Sequence, residues 1–311
     1  MTTNDKWRVR RPTPEDAQAV CDLVAACDLE DVGAPDIVLQ DVLDMWSEFD
    51  LDNNVWLIET ADGGRLVGYA FLEEESGDKL TSYGFVRPEA RGQGVGALLL
   101  TLIEERAAAI AASSGEAKRL QNVIPTPRED AQALLRARGF APARYFRRMR
   151  IELAAPPAEP SLPEGVAVEE FVPGRDEHEV YEAFTEAFAD HWDFAPPAFD
   201  DWVERTRRPS FSPAWWLIAR GADGGVAGFA LGRMHDDTLY IDQIGVRRPH
   251  RGRGLALALL RQAFAASYRA GQPVVSLGVD ADNPTGAYRL YEKAGMTPVF
   301  QVTVCEKRID P

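Results

Sequence analysis

Several things that would fix this protein's class at a glance are scarce or missing. Cys21, Cys27 and Cys305 are the only cysteines in 311 residues. Their spacing matches no metal site and their odd number suits a reducing compartment, so no metal is expected. There is no run of 18 apolar residues and no basic-then-apolar leader, so neither a membrane partner nor export is expected, and the expected location is cytoplasmic. Positive charge is short as well, with 34 Lys and Arg against 49 Asp and Glu, a net charge of −15 and a pI near 4.8. A surface of that sign repels phosphate backbones, so nucleic acid is not an expected partner. Against this acidic background Arg247, Arg248, Arg251 and Arg253 stand out, because glycines interleave them.

What is present is an ordinary globular composition, 45% hydrophobic and 27% charged, on a chain long enough for two cores. The chain also repeats itself. Trp56-Leu57-Ile58 returns as Trp216-Leu217-Ile218, Gly68 as Gly228, Val86 as Val246, Arg91 as Arg251 and Gly94 as Gly254, each 160 positions on. A period that long means a duplicated domain, since each copy can bury its own core. Residues 154–164 carry four prolines, Pro156, Pro157, Pro160 and Pro163, and read as an extended linker. The expected domains are therefore 1–153 and 165–311. In each, apolar and turn patterns predict a strand, two helices, a strand meander, a glycine loop with its helix, then a helix and a strand. Thr13-Pro14-Glu15-Asp16 is a helix start, a second helix is expected over Pro35–Trp46, and Tyr145–Leu153 is a strand closing the first half. The fold class is α/β (α+β), a sheet flanked by helices, presented twice.

The stretch from Leu239 to Gln262 organises the second half. An apolar strand ending at Val246 runs into Arg251-Gly252-Arg253-Gly254-Leu255-Ala256 and then directly into a helix. Free N–H groups at a helix start, reached through glycine, make a cradle for an anion. Val86 to Leu100 contains the first copy, Arg91-Gly92-Gln93-Gly94-Val95-Gly96. Neither copy has the Gly-Lys-Ser/Thr of a Walker loop. Gly252-Arg253-Gly254 lacks the third glycine of a dinucleotide fingerprint. What remains is Arg-x-x-Gly-x-Gly/Ala directly after a strand ending in valine.

That pattern, with the order of elements around it, resembles the GCN5-related N-acetyltransferase (GNAT) family, and the tandem arrangement resembles mycothiol synthase-like acetyltransferases. The closer likeness rests on Phe171 to Asp176, on Ala187-Phe188-Ala189 before His191, and on Phe211-Ser212-Pro213-Ala214. The resemblance implies two mixed, mostly antiparallel twisted sheets and acetyl-CoA as co-substrate. In each half the loop amides would hold the pyrophosphate, and the backbone of Ile244 and Val246 would pair with the pantetheine arm. A second motif, Asn283-Pro284-Thr285-Gly286-Ala287-Tyr288-Arg289-Leu290-Tyr291 through Gly295-Met296, resembles the family's closing pattern. It implies that Asn283 and Tyr288 lie at the cofactor and that Tyr291 protonates the leaving sulfur. From the residues alone, Asn283 reads as a helix N-cap with Pro284 at the first helical position.

Acetyl transfer to an amine needs a base as well as an acid. Asp242, four residues before Val246, stands where the family often carries a carboxylate. A carboxylate inside an apolar strand asks for a reason. In the first half the matching positions hold Ser82 and, counting back from Gly139 as from Gly295, Leu135. Neither serves as base or acid. The expectation is a non-catalytic first domain and a catalytic second one. The expected partner is a small-molecule amine acceptor, met on the side of Phe188, Asp190, His191 and Trp192, by a monomer or homodimer. The run Asp190-His191-Trp192-Asp193 departs from the mycothiol synthase pattern, so that substrate is not carried over. A mycothiol synthase, a longer-chain acyltransferase and a non-catalytic acyl-CoA sensor are the competing readings.

Overall fold

The computed structural model of the protein describes residues 6–75, 77–208, 210–283 and 285–311. In chain order the elements are β1 (Trp7–Arg10), α1 (Ala17–Val32), α2 (Leu39–Glu48), α3 (Leu51–Asn54), β2 (Val55–Thr60), β3 (Leu66–Glu74), β4 (Lys79–Val86), α4 (Val95–Ser114), β5 (Lys118–Pro125), α5 (Glu129–Ala137) and β6 (Ala141–Glu152). They continue with β7 (Ala167–Glu170), α6 (Glu177–Phe188), α7 (Phe199–Glu204), β8 (Trp216–Arg220), β9 (Val226–His235), β10 (Thr238–Val246), α8 (Leu255–Arg269), β11 (Val274–Asp280), α9 (Ala287–Lys293) and β12 (Thr297–Ile309).

Two compact units result, and their bounds differ from the linker-based division. The first comprises Met1–Tyr145 with Phe300–Pro311, the second Phe146–Val299. Strand pairing is the reason. β6, expected to close the first half, pairs antiparallel with β11 of the second unit, from Val274↔Glu152 to Asp280↔Phe146. The chain's last strand, β12, pairs antiparallel with β5 of the first, from Val302↔Pro125 to Ile309↔Lys118. The proline segment thus lies inside the second unit, running from β6 at one edge to β7 at the other. Five strand spacings of about 4.8 Å make roughly 24 Å, well within reach of 14 extended residues.

Within each unit the strand order is the same. The first unit reads β1-β2-β3-β4-β5-β12 and the second β7-β8-β9-β10-β11-β6. Within each unit one pair of described strands is parallel, β4–β5 in the first and β10–β11 in the second; the other pairs there are antiparallel. The central strands β3 and β9 are buried over seven successive residues, as strands covered on both faces must be. In the first unit one face carries the cluster of Val20, Leu23, Trp46 and Tyr69 under α1 and α2. The other carries Leu99, Ile103, Leu120 and Leu135 under α4 and α5. In the second unit Phe184, Trp202 and Phe229 lie beneath α6 and α7, and Leu259, Phe264, Leu277 and Tyr291 beneath α8 and α9.

Helix starts follow local chemistry. Asp16 accepts the Thr13 N–H at 2.8 Å, as the Thr-Pro-Glu-Asp sequence predicts. The second helix begins at Leu39, later than predicted, because Asp41 accepts the Val38 N–H at 3.0 Å and fixes the cap there. The repeated Gly68 and Gly228 bring the glycine-loop helices onto the sheet. A Cβ on Gly68 would stand 2.8 Å from Val95 Cγ1, and one on Gly228 would stand 2.8 Å from the Gly245 carbonyl oxygen and 3.2 Å from Leu259 Cδ1.

Candidate active site

The second unit's site forms where β10 and β11 part. Their parallel pairing covers Thr238–Ile241 against Val274–Leu277 and then stops, while β10 continues to Val246 along β9. The register on β9 shifts between Ile241 and Gln243, so Asp242 is the extra residue of a β-bulge. A bulge bends its strand and re-aims the side chain it carries. Between the diverging strands lies a cavity of about 490 Å³, bounded by Ile241, Asp242, Ile244 and Val246 on one side and by Leu277, Gly278, Val279 and Asp280 on the other.

The glycine loop closes one end. Gly252 and Gly254 have φ of +76° and +82°, and Gly254 is the residue preceding α8. Left-handed backbone at these points turns the first amides of α8 toward the cavity, where Arg251, Gly252, Gly254, Leu255 and Ala256 form part of the wall. Arg251 serves the loop rather than reaching into the cavity. Its Nε donates to the Val246 carbonyl at 3.1 Å and its Nη2 to the Ala187 carbonyl at 3.2 Å. Arg247 Nε donates to Glu186 at 2.7 Å and Arg248 Nη2 to Asp190 at 2.8 Å, which ties the loop to α6. Arg253 turns outward and donates to the Glu164 carbonyl at 3.2 Å.

At the other end Asp242, 22% exposed, meets Arg233 Nε at 3.3 Å and Arg205 at 4.0 Å. Tyr291, on α9, is 6% exposed and reaches the cavity from the α8 face. Burial, and then the neighbouring Tyr240, push its phenol above the usual range. His191 and Phe188 form the wall on the α6 side, their rings 4.3 Å apart, and burial pushes the His191 imidazole down.

The first unit repeats the arrangement with differences. Arg91 Nε donates to the Val86 carbonyl at 3.2 Å, as Arg251 does to Val246. Gly92 and Gly94 again have positive φ, and Val86, Arg91, Gly92, Gly94 and Gly96 line a cavity of about 310 Å³. The β4–β5 pairing persists to Tyr83↔Val123, and β4 follows β3 in unbroken register. Ser82 is fully buried, donates to the Gln121 carbonyl at 2.7 Å and accepts from Asn122 Nδ2 at 2.9 Å. It fastens β4 to β5 where Asp242 marks the parting in the second unit. Leu135 is a buried core residue.

Similarity to known proteins agrees with this geometry. Residues 177–296 match the acetyltransferase (GNAT) family and residues 52–142 an acetyltransferase (GNAT) domain. The mycothiol acetyltransferase of Streptomyces coelicolor is 32% identical over 310 residues, covering 95% of this chain and 96% of that protein. That of Thermobispora bispora is 35% identical over 243 residues, 76% of this chain and 78% of its own. A solved GCN5-related N-acetyltransferase from Sphaerobacter thermophilus is 36% identical, with a TM-score of 0.86 over 100% of this chain and 98% of that one. The chain belongs to the GNAT acetyltransferase family.

Its two halves form a tandem GNAT protein of the mycothiol synthase-like kind, an acyltransferase. GNAT acetyltransferases use acetyl-CoA, and the residues of the second cavity fit that group. Gly252 and Gly254 leave open space where any other residue would put a Cβ, and among the described residues no strand pairs with the β11-side edge of β10 beyond Ile241. Among the described residues no helix is long and apolar enough to cross a membrane.

Not every predicted site residue reaches the cavity. Asp190 pairs with Arg248 and Arg251 and is not among the residues lining the cavity. The Trp192 ring packs 6.3 Å from Phe146. Tyr288 lies 4.7 Å under the Arg147 guanidinium, outside the wall. Gln93 donates to the Glu89 carbonyl, and Val95 is buried against Gly68. Asn283 does line the cavity but caps no helix. Its Oδ1 accepts from Thr285 N at 2.8 Å, and α9 starts only after Gly286; Pro284 lies outside the described residues. Phe146, Gly278 and Asp280 were missed. Asp280 gave a signal, an acid ending the apolar run Val274–Val279. Phe146 gave none, because it stands in the first half of the sequence.

Proposed function

We propose that this protein acetylates a primary amine of a small molecule by direct attack, with the chemistry confined to its second unit. The observation carrying this reading is the bulged carboxylate of Asp242 and the buried phenol of Tyr291 on the wall of one cavity, beside a glycine loop. Acetyl-CoA supplies an activated acetyl thioester when bound. Amides of Arg251 to Ala256 would hold its pyrophosphate, and the Ile244 and Val246 backbone would pair with its pantetheine arm. Remote binding of that kind positions the reacting carbonyl. Asp242, directly or through a water, takes the ammonium proton. Tyr291, kept protonated by burial, donates to the departing sulfur. The guanidinium of Arg233 holds the Asp242 carboxylate in place.

The first unit has neither proton-transfer group and is the non-catalytic partner of this reading; Ser82 is committed to the β4–β5 seam. The division of labour follows the repeat, while the domain limits follow the strand exchange rather than the linker. For the acceptor, the relatives named mycothiol acetyltransferase favour the amine whose acetylation gives mycothiol. That compound heads the panel to be tested. Purified protein is incubated with acetyl-CoA and a panel of primary amines, and thiol release is followed. Turnover with the mycothiol precursor and none with simpler amines selects that acceptor. No turnover with any amine, while acetyl-CoA still binds, replaces the enzyme reading with an acyl-CoA sensor.

A further inference from the structure

The two cavities also differ at their mouths, in how an acid meets the arginines there. Asp31 stands in the last turn of α1 with its side chain 7% exposed, on the wall of the first cavity. It accepts two bonds from Arg91, Nη1 to Oδ1 and Nη2 to Oδ2, each at 2.9 Å. It accepts a third from Arg128 Nη1 at 3.0 Å. Arg91 belongs to the glycine loop after β4. Arg128 stands between β5 and α5, on the opposite lip. One acid therefore ties the two lips of the cleft together, and does so with two guanidiniums on one carboxylate. That is the arrangement with which proteins hold a phosphate. Asp28 and Asp130 stand on the same wall, and Asp130 chelates Arg128 at 2.8 and 2.9 Å. Two carboxylates, Asp31 and Asp130, thus hold the two arginines, while Asp28 accepts the Asp36 N–H at 2.9 Å.

In the second unit the acid that meets the glycine-loop arginine is Asp190, just past the end of α6, while the repeat puts His191 opposite Asp31. Asp190 is 46% exposed, and both its arginines, Arg248 and Arg251, sit on the glycine-loop lip. Position 284, which matches Arg128 when counted from Gly295 and Gly139, is a proline. The sequence therefore has no arginine at the position that matches Arg128.

We propose that Arg91 and Arg128 form an anion site at the mouth of the first cavity, occupied by the chain's own Asp31. A pyrophosphate-bearing ligand such as an acyl-CoA must displace that carboxylate before its phosphates reach the loop amides of Gly92 to Gly96. The cavity is acyl-CoA-like in its apolar depth, with Leu99, Leu100, Ile103 and Ile124 on its wall, yet closed at the end where charge enters. The first cradle consequently binds acetyl-CoA at least tenfold more weakly than the second. Removing one negative charge strengthens it. This goes beyond the catalytic assignment and does not depend on which amine is acetylated.

The test is calorimetric titration of the full chain with acetyl-CoA and with CoA. Wild type is expected to show one tight site and a second at least tenfold weaker. Asp31→Asn, which keeps the shape and removes the charge, is expected to tighten the second site by tenfold or more. Gly96→Trp assigns that site to the first cavity, because Gly96 lies on its wall and a Cβ there stands 3.5 Å from Leu134 and 3.7 Å from Val86. Added to Asp31→Asn, it is expected to abolish the second site and leave the tight one unchanged. Two equal sites in wild type overturn the proposal without any variant, which keeps it testable if Asp31→Asn folds poorly. Unchanged or weakened second-site binding in a folded Asp31→Asn overturns it as well.

Discussion

Replacing Tyr291 by Phe deletes one oxygen and keeps the ring. The ring is 6% exposed and packs in the cluster of Leu277, Val279 and Met296, so the substitution leaves the packing intact. Loss of one buried hydroxyl in such a place changes stability by about 1 kcal/mol or less. The effect on rate is of a different order. If the phenol protonates the leaving sulfur, its removal costs about 10²–10⁴-fold in kcat, the scale of general acid catalysis. That corresponds to roughly 3–5 kcal/mol of transition-state stabilisation. The phenol's direction of shift adds a second constraint. Because burial pushes it above the ordinary value of 10, the donor form persists through pH 10. The kcat profile of wild type should therefore have no descending limb from Tyr291 below pH 10. Thiol release from acetyl-CoA at saturating amine, measured from pH 6 to 10, gives both readouts. A loss under threefold, or a loss seen mainly in the KM for acetyl-CoA, refutes the assignment. So does a limb below pH 10 that vanishes in Tyr291→Phe.

Asp242→Asn is expected to lower kcat by about 10–10³-fold with little change in acetyl-CoA affinity, since the carboxylate acts on the amine; steady-state kinetics with calorimetry separates the two. Gly228→Ala puts a methyl group 2.8 Å from a backbone oxygen and 3.2–3.3 Å from Leu259 and Val246, and overpacking of that sort costs about 1–3 kcal/mol. Thermal denaturation reports it, and an unshifted melt means the close approach is absent. The Arg10 guanidinium beside Asp16 holds that carboxyl down at about 2. A depressed carboxylate stabilises the fold above its unfolded value and loses that contribution as pH falls, here from about pH 4 down to about 2. The stability gap between wild type and Arg10→Gln should be full at pH 6 and close by pH 2, measured by urea denaturation.

Some of this protein could be read directly from its residues, because the signals are local. Glycines at 94 and 254 follow valine-ended strands, and only glycine readily takes the left-handed backbone that turns helix amides toward a ligand. The 160-residue repeat announced two copies, and the family resemblance gave each a mostly antiparallel sheet. Asp242 was legible as an acid in an apolar strand. Its bulge was not, because a bulge is a relation between two strands and depends on where β9 stands. The strand exchange was equally hidden. β6 and β12 both mix apolar with charged residues, and which sheet each one joins depends on long-range backbone pairing, which alternation along a strand does not encode. That pairing brought Phe146 to a wall no counting from the repeat could have given it.

Charge partners were the least legible of all. Asp190 looked available to an amine, and the fold spends it on Arg248 and Arg251. Asp31 drew no notice in the sequence, yet the fold sets it between arginines 60 and 97 residues away. By itself the sequence determined the repeated glycine cradle and the unequal proton-transfer residues of its two copies, since backbone preference and side-chain chemistry are properties of single positions. Tertiary structure alone decided how far each cleft opens, which strand completes each sheet and which carboxylate closes a mouth, since those depend on groups that meet only when distant segments pack.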